Sequence, residues 1–169
     1  MKGIQRTVKR RRNEQKTDYN ARLGLLSSNK PRVVVRKTNR YIIGQVIVSN
    51  VAQDKVVVSV TSKELLGMGW PQSLHGSLKG LAAAYLTGVL LAKKSEIKEA
   101  VLDMGMQRNV SGGRVYAFLK GTVDGGLKIP HGSKALPDNA KLEGNNKTRE
   151  TFIKLKEELI KHGGKGNKK

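Results

Sequence analysis

The chain has 169 residues, of which 33 are lysine or arginine and 13 are acidic, so its formal net charge is +20. A charge this large exceeds what solubility requires and points to a polyanionic partner, in the first place nucleic acid. The chain has no cysteine, which excludes disulfides, cysteine-ligated zinc and a thiol nucleophile. No apolar stretch resembles a membrane span or a signal peptide, so we expect a soluble, intracellular protein.

The charge is concentrated at the beginning of the chain. Residues 1–40 contain 13 basic and 2 acidic residues, whereas residues 41–140 contain 11 basic and 7 acidic residues. Residues 1–16 show no apolar periodicity, and consecutive cations run from Lys9 to Arg12. Such a segment is typical of a basic arm that is disordered in isolation. We therefore predict a nucleic-acid-binding arm over residues 1–16.

A short helix is predicted directly after the arm. Asp18 and the threonine before it are good N-cap residues, and Tyr19, Leu23 and Leu26 follow at the i, i+4, i+7 spacing of one helical face. We expect this face to pack on the rest of the protein, with Arg22 on another face of the helix. The helix would then anchor the root of the arm.

Three runs rich in β-branched residues follow: RVVVRKT, YIIGQVIV and KVVVSVT. Their composition and the short connections between them predict an antiparallel three-stranded meander. In the first strand, the alternation of side chains places Arg32, Val34 and Arg36 on one face. We therefore expect an arginine-bearing edge of the sheet, with Asn39 and Arg40 at the tip of the first hairpin.

The middle of the chain alternates helices and strands. A glycine-rich stretch around Trp70 is predicted to be irregular, with the tryptophan as a packing anchor. The segment SLKGLAAAYLTGVLLAKK has the 3.6-residue apolar period of a buried helix, with Lys79 near its start. EAVLDMG indicates a buried strand, GRVYAFLKGTVDGG a helix and LKIP a last strand. This alternation implies parallel pairing, so the predicted fold of residues 17–131 is α/β, a mixed sheet with helices on its faces.

Three further segments follow this predicted domain. Residues 132–147 are polar and contain glycine and proline, which predicts a loop or linker. Residues 148–162 predict a helix with an apolar face that includes Phe152 and Leu155. Residues 163–169 predict a basic tail.

Five segments of the chain, in their order and spacing, resemble one known family. They are TDYNARLGLL, KPRVVVRKTNRY, AAAYLTGVLLA, EAVLDMG and RVYAFLKGTVDGGLKIPH. With them the sequence resembles the archaeal-type large-subunit ribosomal protein eighteen, the family that binds 5S ribosomal RNA. The resemblance covers residues 10–131, and the ordered set is far more specific than any one of its motifs.

The resemblance implies a three-layer α/β domain with a ribonuclease-H-like mixed sheet and a basic N-terminal arm. It also implies a structural constituent of the large (50S) ribosomal subunit in the cytoplasm. There the protein would bind 5S rRNA, attach it to the large (23S) rRNA in the central protuberance and contact neighbouring large-subunit proteins. The C-terminal part departs from the family, because HGSKALPDNAKLEGNN follows its proline-containing linker only loosely and the tail KHGGKGNKK is short.

The predicted RNA-binding residues combine the arm, the first helix and the first hairpin. Lysine and arginine placed on phosphates release condensed counterions, and arginine adds bidentate geometry. Tyr41 is a candidate for stacking on an unpaired base, as is Tyr19, which fits the apolar face of its helix as well. The predicted set is Arg6, Lys9, Arg10, Arg11, Arg12, Lys16, Arg22, Arg32, Arg36, Lys37, Asn39, Arg40, Tyr41 and Lys79.

Two other functions must be weighed against this one. A general nucleic-acid chaperone or DNA-compacting protein would use the same charge without selecting a shape. A metal-dependent nuclease would need paired carboxylates. Asp103 ends a predicted strand, Asp54 is placed in a turn and Asp124 ends a helix, so no carboxylate pair is predicted at one site. The histidines lack metal-ligand spacing, and we expect no enzymatic activity, metal, cofactor, small-molecule substrate or membrane partner.

Overall fold

A computed structural model of the protein describes residues 7–51, 53–144 and 146–161. Arg6 and the predicted basic tail lie outside these residues. The helices of the described part are α1 (Arg10–Asn13), α2 (Tyr19–Ser27), α3 (Leu81–Lys94), α4 (Arg114–Asp124), α5 (Asn139–Glu143) and α6 (Asn146–Lys161). Its strands are β1 (Arg32–Lys37), β2 (Ile42–Asn50), β3 (Gln53–Thr61) and β4 (Val101–Asp103), and 3-10 helices lie at Ser62–Met68, Gln72–Lys79 and Ser133–Ala135.

The strands form one mixed sheet with the order β3-β2-β1-β4. β1 pairs antiparallel with β2, and β2 with β3, which confirms the predicted meander. β1 also pairs parallel with β4, which confirms the parallel pairing expected for the later strands. The predicted last strand LKIP is wrong, because Lys128 makes only a single parallel bridge, with Glu99. Pro130 follows closely and has no N–H with which to continue a ladder.

The core lies between one face of the sheet and helices α3 and α4. Val33, Val35, Ile42 and Val46 are buried there. α3 is buried over the consecutive residues 82–92, because it packs against the sheet, α4 and α6 at once. A helix that is apolar on all sides belongs in such a central position. The α/β class and the mixed sheet are therefore confirmed.

α3 and α4 cross at two glycines. A Cβ atom at Gly88 would press into the carbonyl oxygen of Phe118, and a Cβ atom at Gly121 would press into that of Tyr85. Both glycines lie inside helices, where glycine is less favourable than alanine by about 1 kcal/mol. Their presence is explained by the close approach of the two helix backbones.

The glycine-rich stretch before α3 is more ordered than predicted, since two 3-10 helices lie within it. Trp70 is buried and its Nε1 donates a hydrogen bond to the carbonyl oxygen of Leu74 at 3.2 Å, which confirms it as a packing anchor. α3 begins at Leu81, later than its apolar pattern predicted. Lys79 therefore ends a 3-10 helix instead of opening α3, and it is exposed.

The segment predicted to be a loop contains the short helix α5, which buries Leu142. The next helix, α6, buries Phe152 and Leu155, the residues of its predicted apolar face. The ring of Phe152 meets that of Tyr85 on α3 with 5.6 Å between the centroids. These residues belong to the same core as the sheet and α3. The prediction of a loop at α5 was therefore wrong, because the polar residues around Leu142 gave no sign that this segment packs in the core.

α2 lies beside Arg32 and Asp54, on the face of the sheet opposite the core residues Val33 and Val35, and it contacts the sheet in part through a residue that was not predicted to do so. Its cap is the expected one, because the Asp18 carboxylate accepts hydrogen bonds from two backbone N–H groups at 2.9 and 3.2 Å. Leu23, however, is 68% exposed, and no residue of this described helix is buried. Arg22 instead reaches Asp54 on the sheet. The predicted apolar face is thus wrong at Leu23, whereas Tyr19 and Leu26 are half-buried.

Candidate nucleic-acid interface

The charged centre of the α2 side of the sheet is Arg32. Its side chain is 2% exposed. Nη1 donates to Asp103 Oδ2 at 3.0 Å, and Nη2 donates to Asp54 Oδ1 at 2.7 Å and to Ser49 Oγ at 3.0 Å. The expected arginine-bearing edge is therefore corrected at this residue: β1 lies inside the sheet between β2 and β4, and Arg32 is neutralised there.

Sequence reasoning missed the carboxylates that surround Arg32. Asp54 is the second residue of β3 and does not lie in a turn, and its strand register places it opposite Ser49. Asp54 Oδ2 accepts from Arg22 Nη2 at 2.8 Å, and Asp103 Oδ1 accepts from the N–H of Gly105 at 2.8 Å. The strand register reveals the pair: Asp103 lies opposite Val34, two residues along β1 from Arg32. Asp54 lies opposite Ser49, two residues along β2 from the partner of Arg32.

Every oxygen of this carboxylate pair faces a cation or another hydrogen-bond donor. Asp54 and Asp103 therefore fix the positions of arginine side chains. Over residues 7–51, 53–144 and 146–161, no three histidine or acidic side chains gather in an arrangement that could hold a metal ion. In the same residues, no helix is long and apolar enough to cross a bilayer.

The side chains of Arg22 and Arg36 are each fixed by a contact with an aspartate and partly exposed to solvent. The side chain of Arg22 is 35% exposed beside its contact with Asp54, and that of Arg36 is 42% exposed. Arg36 Nη1 donates to the carbonyl oxygens of Val35 at 2.8 Å and Asp103 at 3.2 Å. Such partly fixed guanidinium groups lose little conformational freedom when they bind a further anion.

The ion cluster around Arg32 lowers the pKa of Asp54. Burial raises the pKa, but hydrogen bonds from Ser49, Arg22 and Arg32, together with the charge of Arg32, outweigh burial and lower it from 3.8 to about 2. Because the pKa is lower in the folded state, the ionised carboxylate stabilises the fold above pH 4, and this contribution is lost as the pH falls toward 2.

We expect the variant Asp54→Asn to be less stable than the parent by about 2 kcal/mol at neutral pH. The difference between the two proteins should shrink progressively below about pH 4 and vanish near pH 2, because the parent loses the same charge by protonation. Urea unfolding of both proteins across this pH range measures the difference. A gap that does not change with pH would contradict the assignment of the low pKa to Asp54.

The arm forms a helical turn next to α2 in its described part. α1 covers Arg10–Asn13, so the prediction of an arm without regular structure fails there. Arg11 Nε donates to Thr17 Oγ1 at 2.9 Å, and the Lys16 ammonium lies 2.8 Å from Glu14 Oε2. These local contacts join the arm to the start of α2, and its cations remain exposed.

The two tyrosines of the candidate interface both contact other side chains of the protein. The Lys9 ammonium lies 4.4 Å from the centroid of the Tyr19 ring. The Tyr41 hydroxyl lies 2.9 Å from His75 Nε2, and the two rings meet edge-on. Tyr41 thus connects the first hairpin to the 3-10 helix before α3, which favours a structural role for its ring over stacking on a base.

The tip of the first hairpin is closed by its own backbone. The Thr38 N–H donates to the Tyr41 carbonyl oxygen at 2.8 Å. Lys37, Asn39 and Arg40 are exposed around this turn and have no side-chain partner among the described residues. They are available to a ligand.

One cavity brings together the predicted cations of separate segments. It has a volume of about 410 Å³ and is lined by Arg11 and Lys16 of the arm region, Arg22 of α2 and Arg36 of β1. Lys79, by contrast, is exposed on its 3-10 helix, and no described contact joins it to the other predicted residues.

The chain is similar to known ribosomal proteins. The family model for ribosomal large subunit proteins 60S L5 and 50S L18 matches residues 4–99 and 94–132. The large ribosomal subunit protein uL18 of Korarchaeum cryptofilum is 50% identical over 140 residues, which cover 81% of this chain and 70% of the relative. The uL18 proteins of Methanoculleus marisnigri and Methanococcus maripaludis are 50% identical over 138 residues and 44% identical over 163 residues.

These alignments span most of both partners. They cover 80% of this chain and 77% of the Methanoculleus protein, and 95% of this chain and 79% of the Methanococcus protein. The matched residues include α2, the whole sheet, α3 and α4, and thus the cationic cavity. The predicted absence of enzymatic activity is in line with these relatives, which are structural proteins of the ribosome. The chain belongs to the family of ribosomal large-subunit proteins 60S L5 and 50S L18.

Proposed function

We propose that this chain binds 5S rRNA and attaches it to the large (23S) rRNA in the central protuberance of the large ribosomal subunit. The observation that carries the proposal is the convergence of Arg11, Lys16, Arg22 and Arg36 on one cavity. Membership of a ribosomal family makes an RNA the natural polyanion for this surface. The protein acts in the cytoplasm as a structural part of the ribosome, beside neighbouring large-subunit proteins.

The proposed interface consists of the arm, the side of α2 that lines the cavity and the end of β1 with its hairpin tip. Phosphates are bound by exposed lysines and arginines, and each such contact releases counterions from the RNA. Arg22 and Arg36 are oriented in advance by Asp54 and Asp103, so less rotational freedom is lost when they bind a phosphate. Arg32 has no part in this contact surface, since it is buried in the ionic cluster.

The finer organisation of the chain is part of the same proposal. Residues 1–16 act as the RNA-binding arm and residues 17–131 as the RNA-binding domain. Residues 132–147 connect this domain to the C-terminal helix, residues 148–162, and residues 163–169 form a basic tail. A ribonuclease-H-like grouping of the sheet and helices, in three layers, stays a prediction from the family resemblance.

Replacement of Arg10, Arg11 and Arg12 by glutamine should weaken the binding of 5S rRNA and lower its dependence on salt. If each arginine contacts one phosphate, the slope of log K against log salt should decrease by about 2 to 3. Filter binding of the parent and the triple variant to an archaeal 5S rRNA over a series of salt concentrations measures this slope. Selectivity over a tRNA should persist, because Lys16, Arg22 and Arg36 of the cavity and the hairpin tip are unchanged.

The matched control removes the same charge elsewhere. Lys93, Lys98 and Lys128 are exposed at the opposite end of β4 from the cavity. Their joint replacement by glutamine should leave the slope nearly unchanged. If both triple variants lower the slope equally, and if 5S rRNA, tRNA and a DNA duplex bind alike, the protein is a general nucleic-acid chaperone and the proposal fails.

A further inference from the structure

We propose that the cationic cavity receives one unpaired nucleotide of the bound 5S rRNA, an inference that rests on the proposed function. The cavity is bounded by the arm and α2 on one side and by the ends of β1 and β4 on the other. Its volume of about 410 Å³ lies in the range of pockets that enclose a small ligand. A duplex surface offers no part that enters such a cavity, whereas an unstacked nucleotide does.

The walls of the cavity combine cations and apolar groups with two carboxylates, Asp18 and Asp103. Asp18 is engaged by the backbone N–H groups at the start of α2, and Asp103 by Arg32 and the N–H of Gly105. Ala21 and Leu25 of α2 face the cavity beside Leu102 and Met104 of the β4 region. The cations at the same cavity are Arg11, Lys16, Arg22 and Arg36. A surface made only for phosphates needs no apolar wall. The combination suits a nucleotide, which has a charged phosphate and an apolar base face.

Arg36 is arranged to stack on the base. A Cβ atom at Gly105 would lie 2.8 Å from Arg36 Cζ, 2.9 Å from Nη2 and 3.0 Å from Nη1. These nearly equal distances mean that one face of the guanidinium plane lies over Gly105. The side chain also lines the cavity and is 42% exposed. A guanidinium supported on one face can stack a base on the other.

The rim of the cavity keeps donors for the phosphate. Arg11 uses Nε to bind Thr17, and its two Nη groups have no hydrogen-bond partner among the described residues. Arg11 and Lys16 are both exposed at the mouth. A phosphate next to the inserted base therefore meets a fork of free N–H donors, which is the geometry that guanidinium groups offer to phosphate oxygens.

Gly24 provides a way to fill the cavity without altering its charge. It lines the cavity from α2, and a Cβ atom there would meet no heavy atom within 4 Å. Gly24→Leu should weaken the binding of an archaeal 5S rRNA about tenfold, since the loss of one stacked base typically has an effect of this order. Ala21→Leu, on the same wall, should weaken binding to a similar extent. It shows whether the effect of Gly24→Leu comes from filling the cavity and not from that one position.

The matched control is Gly67→Leu. Gly67 is an exposed glycine of a 3-10 helix away from the cavity, and a Cβ atom there also meets nothing within 4 Å. This variant should bind 5S rRNA with the affinity of the parent. Thermal unfolding of all variants shows that they are folded before binding is compared.

Dimethyl sulfate footprinting of the complexes locates the nucleotide. The parent and Gly67→Leu should protect one unpaired base of 5S rRNA that becomes reactive again with Gly24→Leu.

If Gly24→Leu binds as tightly as the parent with the same protections, the inference is wrong while 5S rRNA binding stands. If adenosine or cytidine monophosphate binds the parent but the RNA footprint does not involve the cavity, the site is one for free nucleotides and the inference is also wrong. If the parent does not bind 5S rRNA at all, the proposed function fails first.

Discussion

Replacing Arg32 with methionine should lower the free energy of unfolding by about 3 kcal/mol. Methionine fills much of the volume of arginine but leaves the buried Asp103 carboxylate with only the distant 3.5 Å contact to Arg36 as its ion pair. Asp54 loses a cation as well, although it keeps Arg22. The cost of leaving a buried charge without its partner exceeds the strength of the pair itself, because desolvation is no longer compensated.

Urea unfolding at neutral pH measures this effect, and the double variant Arg32→Met with Asp103→Asn tests its cause. Asparagine retains an oxygen that can accept the hydrogen bond of Gly105 but carries no charge. The double variant should therefore regain at least half of the stability lost by the single variant. If the double variant is less stable than Arg32→Met alone, the orphaned charge is not the source of the loss.

The second large effect is expected at the crossing of α3 and α4. Gly121→Ala should destabilise the protein by about 3 kcal/mol, because the added methyl group pushes against the backbone carbonyl of Tyr85, which cannot move without shifting α3. This net value already includes the improved helix propensity of alanine, which favours the variant by about 1 kcal/mol. The melting temperature should fall by roughly 6 to 12 °C for a domain of this size.

Gly24→Ala is the matched control for this substitution. Gly24 also lies within a helix, but a Cβ atom there meets no neighbour within 4 Å. The same chemical change should therefore stabilise the protein slightly, by up to about 1 kcal/mol. Thermal unfolding of both variants gives the comparison. A loss of stability at Gly24 similar to that at Gly121 would show that backbone contact between α3 and α4 is not what distinguishes the two sites.

The elements with a strong local signal could be predicted from the sequence. The β-branched runs of β1, β2 and β3 and the apolar period of α3 identify these elements, since strand and helix preferences act over a few residues. LKIP was wrong as a strand because it is short and ends at Pro130, which cannot donate to a ladder, so the segment forms a single bridge. The helix α5 was missed because only Leu142 anchors it in the core.

The candidate site was predictable as a set of cations but not as a geometry. Asn39 and Arg40 were expected at an exposed hairpin tip, and they are exposed there, as is Lys37 at the end of β1. Arg32 was expected beside them, yet it is buried in an ion cluster. Sequence alternation places Arg32 and Arg36 on the same strand face, but it does not show which of them meets a carboxylate from a distant strand.

The strong positive charge, the main strands and helices, and the likeness to a ribosomal family can be read from the sequence, because they depend on composition, local periodicity and ordered motifs. Which cations are available to a ligand depends on tertiary contacts. β4 places Asp103 and β3 places Asp54 around Arg32, which neutralises it. Arg36, four residues further along β1, stays half exposed beside Gly105. Charges interact through space and not along the chain, so only the folded sheet separates the arginines that hold the protein together from those that can hold a ligand.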